Sequence, residues 1–361
     1  MTATQQSIAR HVGVSRTTVS RVLGGNLPDG FSVTPELQER IHQAARELGY
    51  RPNSAARAAK TGRFDAAALI ARAEEVDFFP YSLVRGISDE LARHDKHMIF
   101  ARIPKSRIDD GTQSPKIVRE LSVDGMLIHE AVDVAPAVTE MVRRHHIPAV
   151  WINTQTPGDC VYPDEHSAVQ SMLDTLIRLG HRRIAFFESA INWERRTRTS
   201  GPTHYSSDAR REAYRHLMAR AGLEPMLDTK SYLADIDSPF PWGKPDDDRL
   251  ARAIALLKRP GRPTAVVCPD LDSVGPVLHA AAGAGLRMPQ DLSVISIHSE
   301  AITQIGQSVS VALIPLYTCG VRAVQMLEKK IEQPAMQMPR EAIPYDPPVG
   351  ATHGPAPRRK P

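Results

Sequence analysis

The stretch Ser7-Ile8-Ala9-Arg10-His11-Val12-Gly13-Val14-Ser15-Arg16-Thr17-Thr18-Val19-Ser20-Arg21-Val22-Leu23 reads as two short helices joined at a glycine. Ile8, Ala9 and Val12 give the first helix a narrow apolar face. Gly13 permits the tight turn, and Val14 fills the angle between the helices. Ser15 is a good N-cap, and Val19, Val22 and Leu23 form the inward stripe of the second helix. Arg16, Thr17, Ser20 and Arg21 are left on the outer face. Arginine can bond guanine through two nitrogens, while Thr and Ser can bond phosphates or touch a thymine methyl. The pattern therefore predicts a helix-turn-helix that reads DNA. Taken by itself it also fits an ordinary helical hairpin with a solvated polar face.

The next forty residues narrow the choice. Thr34-Pro35-Glu36-Leu37 opens a third helix, with Thr as N-cap, Pro at the first helical position and Glu36 against the helix dipole. Leu37, Ile41, Ala44, Ala45 and Leu48 make its apolar face, and Gly49 ends it. Tyr50 through Gly62 then holds a short alanine-rich segment that Asn53 can cap. Eight residues are too few to hold a helix alone in water, so this segment is expected to form on docking.

Charge supports the same division. The chain of 361 residues carries 45 Lys and Arg against 41 Asp and Glu, a net charge of +4. Residues 1–62 hold eight basic and four acidic side chains, and the remainder holds 37 of each sign. The whole positive excess thus lies where phosphates would be met.

Residues 4–62 resemble the DNA-binding headpiece of the LacI/GalR family of bacterial repressors. The resemblance rests on Gly13-Val14-Ser15, Thr18-Val19-Ser20-Arg21-Val22-Leu23, Glu47-Leu48-Gly49-Tyr50-Arg51-Pro52-Asn53 and Ala56-Arg57. It implies that the second helix enters the major groove with Arg16, Thr17 and Arg21 nearest the bases, and Ser15, Thr18, Ser20 and Asn26 beside them. It implies further that Asn53–Lys60 is a hinge helix in the minor groove, carrying Arg51, Asn53, Ala56, Arg57 and Ala59. There are two departures. The loop 24–33 is about four residues longer than the family's usual one, which a surface turn tolerates. The position where such hinge helices usually carry a wedging Leu is Ala59, so a less bent operator, or one easily deformed at its centre, is expected.

From about Arg63 onward short apolar runs alternate with amphipathic patterns. Ala66–Ile70, Met98–Ile103, Gly125–His129, Ala149–Asn153, Arg183–Phe187, Ala265–Cys268 and Ser293–Ile297 read as strands. The alternation predicts parallel sheets with helices on both faces, in two lobes. Leu121–Gly125, Leu179–Phe186 and Leu292–Ser296 are similar to effector-domain signatures of the same family. The expected fold is a small all-α headpiece plus a two-lobed, periplasmic-binding-protein-like α/β effector domain. The expected divisions are 1–50 helix-turn-helix, 51–62 hinge, 63–346 effector and dimerisation domain, and 347–361 a disordered, basic, Pro-rich tail. One lobe should hold residues 64 to about 155 with a late return, the other about 166–297 with the last strand.

The resemblance places an effector in the cleft at the strand ends. Asn153 keeps the polar character of a hydroxyl-binding position. Arg210 stands at the family's ligand-clamping position, or else makes a surface ion pair. Asp270 matches an Asp of the family's Asn-Asp pair, or caps the following helix. Pro269, His298 and Ile314 replace residues that usually hold a polyol, so the site should be drier and less acidic than a hexose site. His298 either bonds a ligand or is a satisfied structural residue. Trp242 and Tyr232 either stack on a ligand or pack. Arg72, at the end of the first strand, either contributes or lies on a solvated rim.

No catalytic constellation, cofactor motif or metal-ligand spacing stands out. Cys160, Cys268 and Cys319 are an odd, scattered set that fits a reducing compartment. No signal segment or bilayer-spanning run is read, so a cytoplasmic protein without a membrane role is expected. The expected function is a transcriptional repressor that binds a palindromic double-stranded DNA operator as a homodimer under the control of a small, sugar-like effector. The alternative is a DNA-binding regulator whose effector domain no longer senses a small molecule and serves as a dimerisation or partner-protein platform. A solute-binding or enzymatic protein with an incidental helical start does not fit the complete headpiece.

Overall fold

The computed structural model describes residues 3–24, 32–72, 80–103, 117, 120, 122–129, 136–189, 191–192, 204–230, 232–233, 248–304 and 306–358. The chain divides into two compact units, Met1–Phe64 and Asp65–Pro361.

In the first unit α1 (Gln5–Val12) begins at Thr4, whose hydroxyl and that of Ser7 cap each other's backbone. Gly13 takes φ 78° and closes it. Ser15 starts α2 (Arg16–Leu23) by accepting from the Thr18 N–H at 3.0 Å. Thr34 caps α3 (Pro35–Glu47) in the same way. The three helices close on Ile8, Val12, Val19, Val22, Ile41 and Ala44. Leu48 lies outside that core at 37 % exposure, because α3 ends at Glu47 and the chain turns away at Gly49, φ 65°. The alanine-rich segment is already helical as α4 (Ser54–Thr61). Asn53 caps its start and Thr61 Oγ1 bonds the Arg57 carbonyl, while Gly62 at φ 70° stops it. End caps supply what eight residues lack in propagation.

The second unit is built on two parallel sheets. The first contains β1 (Ala66–Arg72), β2 (His97–Ile103), β3 (Gly125–His129), β4 (Ala149–Ile152) and β5 (Cys160–Pro163). The second contains β6 (Ile184–Glu188), β7 (Met226–Thr229), β8 (Ala265–Cys268), β9 (Ser293–His298) and β10 (Ser310–Leu313). β11 (Glu341–Ile343) returns to the first sheet and pairs with β5, giving the order β11-β5-β4-β3-β1-β2. The second sheet runs β10-β9-β8-β6-β7. β11 is thus the late return expected for the first lobe, which also reaches past residue 155 to include β5, while β10 is the last strand of the second sheet.

Between them lie α5 (Tyr81–Arg93), α6 (Pro136–Arg144), α7 (Glu165–Arg178), α8 (Tyr205–Arg220), α9 (Arg249–Lys258), α10 (Val274–Gly283) and α11 (Leu316–Glu332). Alternate residues of β6 show why both faces of the second sheet are covered. Ile184 and Phe186 pack with α7 and α8, while Ala185 and Phe187 pack with α9 and α10. In the first lobe α5 and α11 cover one face through Leu83, Ile87, Leu316 and Leu327. They approach so closely that a Cβ on Gly86 would lie 2.2 Å from the Tyr317 carbonyl.

The segment after residue 346 is a correction. Expected to be a disordered tail, it is docked on the second lobe as far as Arg358, the last residue described. Val349 pairs with Val311 of the edge strand β10. Thr352 is fully buried; its hydroxyl donates to the Val294 carbonyl at 2.7 Å and accepts from the Ser310 N–H. The N–H groups of Ala351, Gly354 and Ala356 are bonded too. Proline removes only its own donor, and the residues between the prolines find partners along the open sheet edge.

His181 closes this contact from the other side. Its Nε2 lies 2.9 Å from the Gly354 carbonyl and its Nδ1 2.9 Å from the Thr264 hydroxyl. Burial pushes the pKa of His181, and of His353 in the tail itself, below the ordinary 6.5. The unfolded chain therefore binds these protons more readily than the folded one, so stability is full above pH 6.5 and falls as the pH drops through and below it. At fixed protein concentration the thermal midpoint should decline from pH 7.5 to 5.5. The double variant His181→Gln, His353→Gln should flatten that slope; an unchanged slope would show that these imidazoles take up protons freely in the fold.

Candidate DNA interface and effector cleft

α2 presents Arg16 and Thr17 exposed, with Thr18, Ser20 and Arg21 half-buried beside them. Two of the expected contacts are partly spoken for. Ser15 Oγ and Thr18 Oγ1 lie 2.9 Å apart within the cap. They set the start of the helix and thereby aim Arg16 and Thr17. Arg51, Asn53, Ala56, Arg57 and Ala59 are all exposed around α4, whereas Ala58 is buried. Asn53 uses its side-chain oxygen on the Ala56 N–H at 3.1 Å. Asn26 lies outside the described residues.

In the second unit the expected effector residues stand at or near the carboxyl ends of the parallel strands, where open α/β sheets take ligands. Asn153 follows β4. It adopts φ 62°, a left-handed conformation that Asn tolerates better than most residues. Its N–H donates to the Val161 carbonyl at 3.0 Å and its carbonyl accepts from His204 Nε2 at 2.9 Å. Its carboxamide has no partner among the described residues, which leaves it available to a ligand.

Arg210 is differently placed. Its Nε donates to Glu165 Oε2 at 2.6 Å and its Nη1 to the Pro269 carbonyl at 2.7 Å. Tyr345 donates its phenol to the same Glu165. The side chains of Arg210 and Glu165 are only 11 % and 2 % exposed, so the ion-pair alternative takes the form of a buried pair and not a surface one. Burial opposes the charge on Arg210, yet Glu165 and Tyr345 raise its proton affinity above that of an ordinary guanidinium.

Asp270 accepts from the Ser273 N–H at 2.8 Å and hydroxyl at 2.7 Å, capping the turn into α10. Burial, and next the Asp272 charge, push its carboxyl up to about 6. His298, at the end of β9, folds back on its own chain: its Nδ1 lies 3.1 Å from the Glu300 carbonyl oxygen and 3.2 Å from the Glu300 nitrogen. Ile314, after β10, packs against both lobe cores. The backbone of Arg72 ends β1; its side chain and that of Tyr232 lie outside the described residues, as does Trp242. The structure thus brings Arg210, Pro269 and Asp270 together, with Asn153 joined to them through α8.

Sequence reasoning missed Glu165, Tyr345, His204 and the pair formed by Glu188 and Arg211. Glu188 is buried at the end of β6 and held by Arg211 at 2.9 Å; burial pushes its pKa up despite that contact. These partners are 23 to 180 residues apart in sequence, and no local pattern announces them. Among the described residues no group of His, Cys, Asp or Glu is arranged to hold a metal ion, and no helix is long and apolar enough to cross a membrane.

Glu165→Gln keeps the shape of the site and leaves Arg210 buried without its counter-ion. A loss of about 3–5 kcal/mol is expected, seen as a thermal midpoint lower by about 10 °C. An unchanged midpoint would mean that Arg210 is not held by Glu165 and is free to clamp a ligand.

The profile for "Bacterial regulatory proteins, lacI family" matches residues 4–53, and the "Periplasmic binding protein-like domain" matches residues 173–352. The chain is similar to the HTH-type transcriptional regulator AglR of Rhizobium meliloti (strain 1021), 28 % identical over 368 residues that span 99 % of this chain and 96 % of that protein. Its fold matches the crystal structure of the Lac repressor dimer bound to operator and the anti-inducer ONPF, with a TM-score of 0.69 at 18 % identity over 98 % of this chain and 99 % of that one. It also matches the transcriptional regulator CelR in complex with cellobiose, with a TM-score of 0.57 at 21 % identity over 97 % and 99 %. With a headpiece of three capped helices, two parallel-sheet lobes and these likenesses along its length, the chain belongs to the LacI/GalR family of bacterial DNA-binding transcriptional regulators and is not an enzyme.

Proposed function

We propose that the protein is a cytoplasmic repressor that binds a palindromic operator as a homodimer and is controlled by a neutral, sugar-like effector held between the lobes. The observation that carries the DNA half is the placement of charge. The exposed Arg16 and Thr17 lie on a capped helix within residues 1–62, the part of the chain that holds its entire positive excess. Phosphate contacts supply affinity there, and α2 supplies base readout. Two headpieces side by side would place two such helices in successive major grooves. Ala59 offers a methyl group where a larger apolar side chain would wedge between bases, which supports a shallow operator bend.

The effector half rests on which polar groups remain uncommitted. Asn153 keeps its carboxamide and His298 keeps its Nε2 uncommitted among the described residues, while Arg210 is neutralised by Glu165. A neutral polyhydroxyl ligand suits that set better than an anion, whose charge would meet no unpaired guanidinium at Arg210. CelR, a relative by fold, is seen with cellobiose. Lobe closure around such a ligand would change the relation between the two α4 segments of a dimer and so shift the population that binds operator.

Two measurements test the two halves. On an operator selected from randomised DNA, Arg21→Ala should lose about ten- to a hundredfold in preference over non-specific DNA while keeping most non-specific affinity. Ala59→Leu should increase the bend measured by gel phasing. Loss of neither specificity nor bend response would remove the assignment of α2 and α4. For the effector, a thermal-shift screen of the full chain should show an upward shift with a neutral mono- or disaccharide. A shift with sugar phosphates alone would overturn the neutral class. No shift across the panel would favour a dimerisation or partner platform, as the internal engagement of Arg210, Asp270 and His298 would then suggest.

A further inference from the structure

His204 stands immediately before α8 and touches residues of both lobes. The Ser206 N–H donates to its Nδ1 at 3.4 Å, and the Ser206 hydroxyl lies 2.7 Å from the same nitrogen. A backbone N–H can only donate, so Nδ1 accepts and the ring proton sits on Nε2. Nε2 lies 2.9 Å from the Asn153 carbonyl, which can only accept. Both contacts require the same neutral tautomer, and one ring therefore caps α8 in the second lobe while gripping the chain just beyond β4 in the first.

The gripped residue is unusual. Asn153 holds φ 62° with its N–H committed to the Val161 carbonyl on β5. His204 takes its other backbone group, so both polar atoms of the main chain are fixed and only the carboxamide is left. The next residues reinforce the same junction. Tyr205 donates its phenol to the Pro163 carbonyl at 3.2 Å, and its ring meets Tyr162 edge-on with centroids 5.9 Å apart.

We propose that His204 is a positioning residue for effector recognition. It holds Asn153 in the left-handed conformation that presents its carboxamide to the ligand, and it makes that presentation depend on the register of the two lobes. Once the His204 contact is lost, only the Val161 carbonyl holds the Asn153 main chain. Separation of the lobes would break the Nε2 contact and free the carboxamide from its set direction, so that ligand affinity and lobe closure favour each other. The ligand part of this inference rests on the effector reading given above.

The test needs no ligand. The full chain is compared as wild type, His204→Gln, His204→Asn and His204→Ala. A Gln side-chain N–H reaches as far as Nε2. Asn ends near the place of Nδ1, able to cap α8 but too short for Asn153. The Asn153 N–H stays on the Val161 carbonyl, but losing the His204 contact to the Asn153 carbonyl loosens the segment, so exchange of that N–H, read by mass spectrometry, should quicken about tenfold in the Asn and Ala variants. It should stay near wild type in His204→Gln, with β6 unchanged throughout. In protein labelled at Asn side chains, the Asn153 carboxamide resonance, identified by Asn153→Asp, should move in the Asn variant and return in the Gln variant. Wild-type exchange in His204→Asn, or equal loss in the Gln and Asn variants, would overturn the positioning role. An effector screen without a hit would overturn the sugar reading while leaving both of these readouts to decide on His204.

Discussion

The second unit is organised around the buried contact between Glu165 and Arg210. Glu165 opens α7, just after the chain leaves the first sheet, and Arg210 lies within α8. The same carboxylate accepts from Tyr345, where the chain enters the second lobe for the last time, and the same guanidinium reaches the carbonyl at the end of β8. A buried ion pair adds little net stability, since removing two charges from water costs about what their attraction returns. What it imposes is geometry, because a misplaced partner would leave a charge uncompensated. Four segments far apart in sequence are thereby held in one arrangement at the strand ends.

That arrangement fixes what the cleft can offer. α8 runs from Tyr205 to Arg220, and six residues separate Arg210 from His204, about 9 Å along a helix. Anchoring Arg210 therefore also sets where His204 meets Asn153. The guanidinium is consumed in this anchoring, as is Asp270 in capping, which under the proposed function leaves recognition to groups that carry no permanent charge. The position that a ligand would use in the resemblance is, in this chain, part of the frame that joins Glu165 to the end of β8.

The headpiece was legible in the sequence because its signals are local. Thr4, Ser15, Thr34 and Asn53 each cap a helix through a residue three positions on, and Gly13 and Gly62 end helices by their own positive φ. Central strands were legible too, since Gly125–His129 is buried at every residue and reads as an apolar run as far as Ile128. The edges were not. Cys160–Pro163 is short and ends in proline, Met226–Thr229 is half-exposed, and Glu341–Ile343 has three residues. Prolines made the segment after residue 346 read as disordered, although its order depends on Ser310 and Val294, 42 and 58 residues away from Thr352. The site residues followed the same division: α2 was found from its own face, while Arg210 could be placed but not interpreted without Glu165, 45 residues distant.

The two units divide the physics of regulation between them. Affinity for DNA is electrostatic and belongs to residues 1–62; the remainder is neutral overall. A ligand without charge, bound in a neutral unit, cannot act on DNA through a long-range field. It can act only by geometry, through the chain that joins the units. α4 suits that role, because eight residues form a helix only at the margin and its stability comes from a cap at each end. A small change in what its exposed face meets is then enough to favour the helix or its loss. The alanine content follows from the same need: Ala55, Ala56, Ala58 and Ala59 raise helix propensity while adding little apolar surface of their own. On the proposed function, this short capped segment is where a differential affinity of the effector for one lobe arrangement would be passed to the headpiece.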